Sequence, residues 1–347
     1  MDLNWSTRDI REGCQTITVL DVHAAGEPLR IVTGGLPELP GQTMLQRRRW
    51  MRENADHVRR ALMHEPRGHR DMYGCVVTPP ATDEADLGVL FMHNAGYSTM
   101  CGHGIIALTT ALLETGALPP KGPRTPVNID TPAGLVRAVG HLGAGGRVEK
   151  VSFLNVPSFL YRRDVSVEPA GLAPVTLDVA FGGAFYAVLP AAAVGLAVRG
   201  DQLRPLVAAA EAVKAAVNDR VPVEHPFEAD LGFLYGVIFT DAPEDPAHHS
   251  RNVCVFADSE VDRSPTGTGV SARLALHFAK GEVALDEPIA IESILGRRSV
   301  FEGRAVEETA VGPHEAIVPE VTGTAFITGR SELLLRPDDP LGQGFLL

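Results

Sequence analysis

The sequence predicts an α+β protein built on mixed or antiparallel sheet. Three observations carry this reading: many short strand-like runs, few helices that do not alternate strictly with them, and one internal echo linking two distant helix starts. The 347 residues include 35 glycines and 26 prolines, spread along the chain, which keeps elements short and turns frequent. The length accommodates two domains.

The opening stretch MDLNWSTRDIREG is polar and has no apolar signal region. The runs TITVLDVHA (16–24) and PLRIVTGG (28–35) then read as strands, rich in β-branched residues and followed by glycine. MLQRRRWMRENADHVRRALMH (44–64) reads as one helix. YGCVVTPP, GVLFMHN, VNIDTPAG, LVRAVGH and VEKVSFLNV read as strands, with a helix at 103–115 between the second and third of them. A helix is expected over 201–219 (DQLRPLVAAAEAVKAAVND) and another over 268–280, the latter between the strands GVIFTD and RNVCVFAD on one side and IAIESILG and RSVFEGRAV on the other.

Composition narrows the function classes. Hydrophobic residues make up 45% and charged residues 21%, an ordinary globular balance. A formal net charge of -12 argues against nucleic acid as partner, and the basic run QRRRWMR (46–52) reads as a solvated helix face. The longest apolar stretches fall short of the roughly 20 residues of a membrane span. The four cysteines, Cys14, Cys75, Cys101 and Cys254, share no CxxC spacing, and no Cys/His cluster has zinc spacing. Free thiols and a reducing cytoplasm are the expectation. The dinucleotide fingerprint GxGxxG after a strand and the phosphate loop GxxxxGK[ST] are both missing, and Lys121, Lys150, Lys214 and Lys280 sit in no distinctive Schiff-base setting. No cofactor and no metal are expected.

The echo is the informative feature. CGHGIIALTTALL from Cys101 aligns without a gap on TGTGVSARLALHF from Thr266. Each copy follows a strand and a polar turn and leads into a helix, which reads as a duplication. A helix N-terminus offers unpaired N–H groups and positive partial charge, and Gly102, Gly104, Gly267 and Gly269 let a ligand approach the backbone. Two such termini around one cleft form a carboxylate cradle, and the same field favours the thiolate of Cys101 as a base near neutral pH. Seen alone, CGHG would be a tight strand-to-helix turn with an inert buried cysteine; the glycines, His103 and the second copy argue for chemistry. Cys14, Cys75 and Cys254, in strand-like contexts, read as core.

The stretches HAAGEPLRIVTGG, EPRGHRDMYG, MCGHGIIAL, DTPAGLV, FGGAFYA, DSEVDRSPTGTG and VTGTAFITG resemble the proline racemase family along nearly the whole chain. The resemblance implies two similar, pseudo-twofold-related domains of sheet, each wrapped around a central helix as in diaminopimelate epimerase, with the active-site cleft between them. The expected boundaries are residues 1–168 plus 322–347 for the first domain, carrying Cys101, and 169–321 for the second, carrying Asp262 and Thr266. It also implies a hydroxyproline-type small-molecule substrate and admits a homodimer, while charge and hydropathy leave no nucleic-acid or membrane partner expected.

Racemases and 4-hydroxyproline epimerases of the family carry a cysteine in both halves, whereas this chain has Thr266 at the second position. That departure resembles the trans-3-hydroxy-L-proline dehydratase branch. By position, Cys101 is then the catalytic base, with Thr266 opposite it. Gly102, His103, Gly267 and Thr268 hold the carboxylate through backbone N–H groups, and Asp262 pairs with the ring ammonium. Racemisation needs a proton exchanger on both faces of the α-carbon, and a hydroxyl is a poor one. In trans-3-hydroxy-L-proline the α-hydrogen and the hydroxyl share a face, so elimination needs one thiol.

Two enzyme alternatives stand beside this, a 4-hydroxyproline epimerase or a proline racemase with Thr266 as weak acid. From another class, a non-catalytic binder of proline derivatives is a third. A cysteine hydrolase is disfavoured, because a histidine two residues from the cysteine is a poor way to build a nucleophile–base pair. Among the other polar residues, His23 and Glu27 line the cleft or tie strands. Arg30, Arg67 and Asp71 are read as structural, His69 and His93 as candidate supports of the site, and His248–His249 as a solvated pair.

Overall fold

A computed structural model describes residues 13–347; the polar opening of the chain before Gly13 lies outside the described residues. Strands β1 (Gln15–Ala24) and β2 (Glu27–Gly34) lead into α1 (Met44–Asn54), α2 (Asp56–Met63), β3 (Tyr73–Thr78), β4 (Leu87–His93) and α3 (Gly102–Glu114). Next come β5 (Arg124–Thr131), β6 (Gly134–Leu142), β7 (Val148–Leu154), β8 (Ser158–Val167), β9 (Val175–Phe181), β10 (Phe185–Pro190) and α4 (Leu203–Arg220). The chain ends through β11 (Leu234–Asp241), β12 (Ser250–Phe256), the short β13 (Glu260–Asp262), α5 (Gly267–Ala279), β14 (Ile289–Ser293), β15 (Gly296–Val311), β16 (His314–Gly323) and β17 (Ala325–Leu335). This is an α+β protein with few helices, and its sheet is mixed.

The strand pairing repeats. β1 pairs antiparallel with β17 and β2; β2 runs parallel to β3, β3 antiparallel to β4, β4 parallel to β5, and β5, β6 and β7 follow antiparallel. In the second series β9 pairs antiparallel with β8 and β10. Then β10 runs parallel to β11, β11 antiparallel to β12, β12 parallel to β14, and β14, β15 and β16 follow antiparallel. Strand β16 also pairs with β8, which closes the second series on itself, and with β7, which joins the two series. In each series a helix follows the fourth strand of the repeat: α3 after β4, and α5 after β12 and its short partner β13.

These two helices are buried around nearly their whole circumference, and the polar residue with the largest side chain among them, Arg273 of α5, is paired with Asn252 and Ser250. Ile105, Ile106 and Ala107 of α3 and Val270, Ala272 and Leu274 of α5 are all 0% exposed. Helix α3 packs on β1, β6, β7 and β17, and α5 on β8, β9, β15 and β16. Their N-termini meet. A Cβ added at Gly102 would lie 2.5 Å from Gly267 Cα, and one added at Gly267 would lie 2.6 Å from Gly102 Cα, so any side chain at either position would wedge the helices apart.

The structure departs from the sequence expectations in several elements. The single helix expected over 44–64 is two, broken at Ala55 (φ -134°, ψ 20°). Thr43 and Gln46 form a capping box that starts α1. The basic run is not a uniformly solvated face: Arg47 is 8% exposed and donates to Gly41 O at 3.0 Å and Thr78 Oγ1 at 3.0 Å. Strands β8, β9, β10, β13, β16 and β17 are additional. In two of them the pattern is broken: β8 carries Arg162, Arg163 and Asp164 at a register shift, and β16 carries Pro319. Among the described residues no helix is long and apolar enough to cross a membrane.

Candidate active site

The site forms where the loop after β4 and the turn after β13 deliver the first residues of α3 and α5 to each other. Cys101, Gly102, His103, Asp262, Thr266, Gly267 and Thr268, the residues selected from sequence, all line one cavity of about 20 Å³. Met100, Tyr73, Tyr186, Tyr235 and Phe256 complete its wall. That volume holds about one water, so the walls stand nearly in contact. A larger cavity of about 500 Å³ lies elsewhere, against Leu20, Ile31, Leu36, Val77 and Leu112, and brings no acid–base pair together.

Cys101 is the N-cap of α3, 5% exposed, and accepts a hydrogen bond on Sγ from the Gly104 N–H at 3.2 Å. Its Sγ also lies 3.2 Å from His103 Nδ1. The sequence spacing argued against such a pair. It forms because the extended N-cap backbone (φ -148°, ψ 110°) turns the thiol back over the first helical turn, where His103 sits. Burial pushes the Cys101 thiol well up, Asp262 and Glu27 raise it further, and the Gly104 N–H and the Tyr73 hydroxyl pull it down. The helix terminus alone was expected to favour the thiolate; in this closed arrangement desolvation outweighs it. Burial lowers the His103 imidazole, which stays neutral and can accept a hydrogen bond from the thiol at Nδ1.

Thr266 caps α5, but not as Cys101 caps α3. Its backbone has φ 66° and ψ 99°, a strained conformation for a β-branched residue, and its side chain accepts no capping bond. Its Oγ1 is buried, with no partner beyond a weak contact to the Cys254 thiol. Thr268 Oγ1 lies 2.7 Å from Tyr186 Oη. The N–H groups of Gly102, His103, Gly267 and Thr268 belong to the first turn of each helix, where no intrahelical acceptor exists. Asp262 is 4% exposed and accepts the Ser264 N–H on Oδ1 at 2.7 Å.

Behind these residues lies a layer that ties β13 to the first strand series. Glu27 is 1% exposed; its Oε2 accepts the Arg263 N–H at 2.7 Å while Oε1 has no partner. Burial, then Asp262, raise its pKa well above the carboxylate range, and Arg263 opposes them. His93 Nδ1 lies 2.8 Å from Glu260 Oε1, which also accepts the Ala95 N–H at 2.8 Å. Asp71 Oδ1 accepts the Val261 N–H at 3.1 Å.

The remaining polar residues stand away from the cavity. Arg30 pairs with Asp21 at 2.8 Å, and Arg67 donates to Leu334 O and Gly342 O, both at 3.0 Å. His23 Nδ1 accepts the Gly26 N–H at 3.2 Å. His69 is exposed. His248 is not simply solvated, since its Nδ1 lies 2.9 Å from Oε1 of the buried Glu292. Sequence reasoning missed Tyr73, Tyr186 and Tyr235. Tyr73 and Tyr186 sit inside EPRGHRDMYG and FGGAFYA, but an aromatic residue on a strand reads as core until its hydroxyl is seen to face a cavity.

The family profile described as proline racemase matches residues 19–346. A trans-3-hydroxy-L-proline dehydratase from Colwellia psychrerythraea is 46% identical over 343 residues, covering 99% of this chain and 96% of that protein. A 3-hydroxyproline 2-epimerase from Burkholderia multivorans is also 46% identical, over 333 residues, covering 96% of this chain and 98% of that protein. Among solved structures, a hydroxyproline epimerase from Agrobacterium vitis with bound trans-4-hydroxy-L-proline superposes with a TM-score of 0.88 at 33% identity, covering 96% of each chain.

Proposed function

This chain belongs to the proline racemase family, and from that premise we propose that it is a carbon–oxygen lyase that dehydrates trans-3-hydroxy-L-proline to Δ1-pyrroline-2-carboxylate without a cofactor. Overall identity does not separate dehydratase from epimerase, since relatives with both names stand at 46%. The observation that carries the reading is the asymmetry across the cavity: a thiol with an imidazole at 3.2 Å on one wall, and a threonine hydroxyl with no imidazole or carboxylate partner on the other.

In this reading the two strand series are lobes that part to admit substrate and close on it. The first-turn N–H groups of both helices hold the carboxylate, and Asp262 takes the ring ammonium. Pairing Asp262 with a cation cancels one of the charges that raise Cys101, so substrate binding itself helps to generate the thiolate. Cys101 then removes the α-proton, the C2–C3 double bond forms as the C3–O bond breaks on the same face, and the oxygen leaves as water with a proton supplied from that face. The enamine tautomerises to the cyclic imine. Exclusion of water strengthens every one of these interactions. Mass detection of the dehydrated cyclic imine after incubation with trans-3-, cis-3- and trans-4-hydroxyproline tests the reading. An α-deuterated epimer in heavy water, without water loss, would replace it by epimerisation, and binding without turnover would leave a binder.

A further inference from the structure

The hydroxyls around the cavity are not equivalent. On the Thr266 side, Tyr186 and Thr268 satisfy each other at 2.7 Å. On the Cys101 side, Tyr73 has its ring edge-on to His103, with centroids 4.8 Å apart, and its hydroxyl 2.5 Å from Ser98 Oγ. Tyr235 lines the same cavity, and its hydroxyl is close enough to that of Tyr73 for the two to perturb each other. When Ser98 donates to Tyr73 Oη, the phenolic proton points into the cavity, toward Cys101 in the closed site and toward a substrate oxygen once one lies between them.

We infer that Tyr73 is the hydroxyl-recognition residue of this site, donating its phenolic hydrogen bond to the C3 oxygen of the substrate on the Cys101 face and protonating that oxygen as it departs. The inference rests on the functional reading above. It deepens that reading by naming which protein group meets the leaving oxygen. The geometry demands a donor on this face, because in the trans isomer the hydroxyl and the α-hydrogen are both on the side from which Cys101 approaches. The balance is closed. The Cys101 thiolate takes the α-proton; the C3–O electron pair leaves with the oxygen, which takes the Tyr73 proton and becomes water. The Tyr73 phenolate then recovers a proton from the neighbouring Cys101 thiol, and both side chains return to their starting states. Burial holds the phenol well above its usual pKa, so Tyr73 is a protonated donor throughout the neutral range.

The test compares dehydration with the binding of ligands that have no C3 hydroxyl. In Tyr73→Phe, kcat/KM for trans-3-hydroxy-L-proline should fall at least about a hundredfold, the low end for a positioned acid. Dissociation constants for L-proline and pyrrole-2-carboxylate should stay within about twofold. A residue that merely packs would weaken both ligands along with turnover, and that result, or unchanged kcat/KM, overturns the inference. Ser98→Ala, which keeps the ring and removes the hydroxyl that orients it, should lower kcat about tenfold with proline affinity unchanged; an unaltered kcat there overturns it even where the Tyr73 variant does not fold. Failure of the unaltered protein to dehydrate the substrate would overturn the functional reading itself, and is read separately from either variant.

Discussion

At the scale of single residues, the decisive pair is Cys101 and Thr266. Cys101 sits in relaxed extended backbone and caps its helix with the thiol; Thr266 sits at φ 66° and caps nothing. A backbone of that kind costs of order 1–3 kcal/mol and persists at sites where the surroundings impose it. Two outcomes follow from one-thiol elimination. Cys101→Ser should lower kcat by about 10²–10⁴-fold, the contribution of a positioned acid–base group, while leaving pyrrole-2-carboxylate affinity nearly unchanged, because backbone N–H groups hold the carboxylate. Steady-state rates and calorimetric titration of the same preparation check both halves. Thr266→Ala should keep dehydratase activity within about a hundredfold, and Thr266→Cys should gain detectable α-epimerisation in heavy water. Complete loss of dehydration in a folded, ligand-binding Thr266→Ala would mean that the hydroxyl takes part in the elimination.

Among elements, what matters is how helix starts and strand ends are held. Helices α3 and α5 meet at glycines because a methyl at either position would stand about 2.5 Å from the other backbone. Strand β13 and the turn after it are fastened to the first half of the chain by Asp71 and His93 on the strand and Glu27 on the turn. Glu27 makes this layer sensitive to pH. Its folded pKa is raised, so between the ordinary carboxylate value and that raised value the folded state holds a proton that the unfolded chain has released. More protons bound when folded means that stability falls as pH rises through this window, by at most about 1.4 kcal/mol per pH unit for one proton. Glu27→Gln keeps an acceptor for the Arg263 N–H and removes the ionisable group. Denaturant melts from pH 4 to pH 8 should therefore show the variant gaining on the parent protein as pH rises, and a constant difference would exclude Glu27 as the titrating group.

On the scale of the whole molecule, closure is the issue. A cavity of about 20 Å³ accepts one water and not a hydroxyproline ring, so ligand entry requires the walls to separate. The buried ties to β13 place a free-energy cost on that separation. The rate of pyrrole-2-carboxylate binding in stopped flow should therefore level off with increasing ligand at the opening rate, and a linear rise to millimolar concentrations would show that the free protein is already open.

By itself, the sequence determined the class of fold, the two echoing helix starts and six of the seven selected residues that meet in the cavity. Periodicity and glycine placement are local properties, and CGHG and TGTG carry their chemistry in consecutive residues. The resemblance of scattered stretches to one family placed Asp262 beside them. What only the tertiary structure decided depends on groups far apart in the chain. The break at Ala55 and the strands with charged or proline-bearing centres are held by neighbours that no local pattern contains. The same is true of the state of the Cys101 thiol, which the helix terminus alone would lower and which burial raises. Burial is set by Tyr73, Tyr235 and Phe256, brought from 28 to 155 positions away to wall one cavity. The hydroxyls that face that cavity were hidden in strands, where sequence reports only that an aromatic ring is apolar enough for the core and says nothing of where its oxygen points.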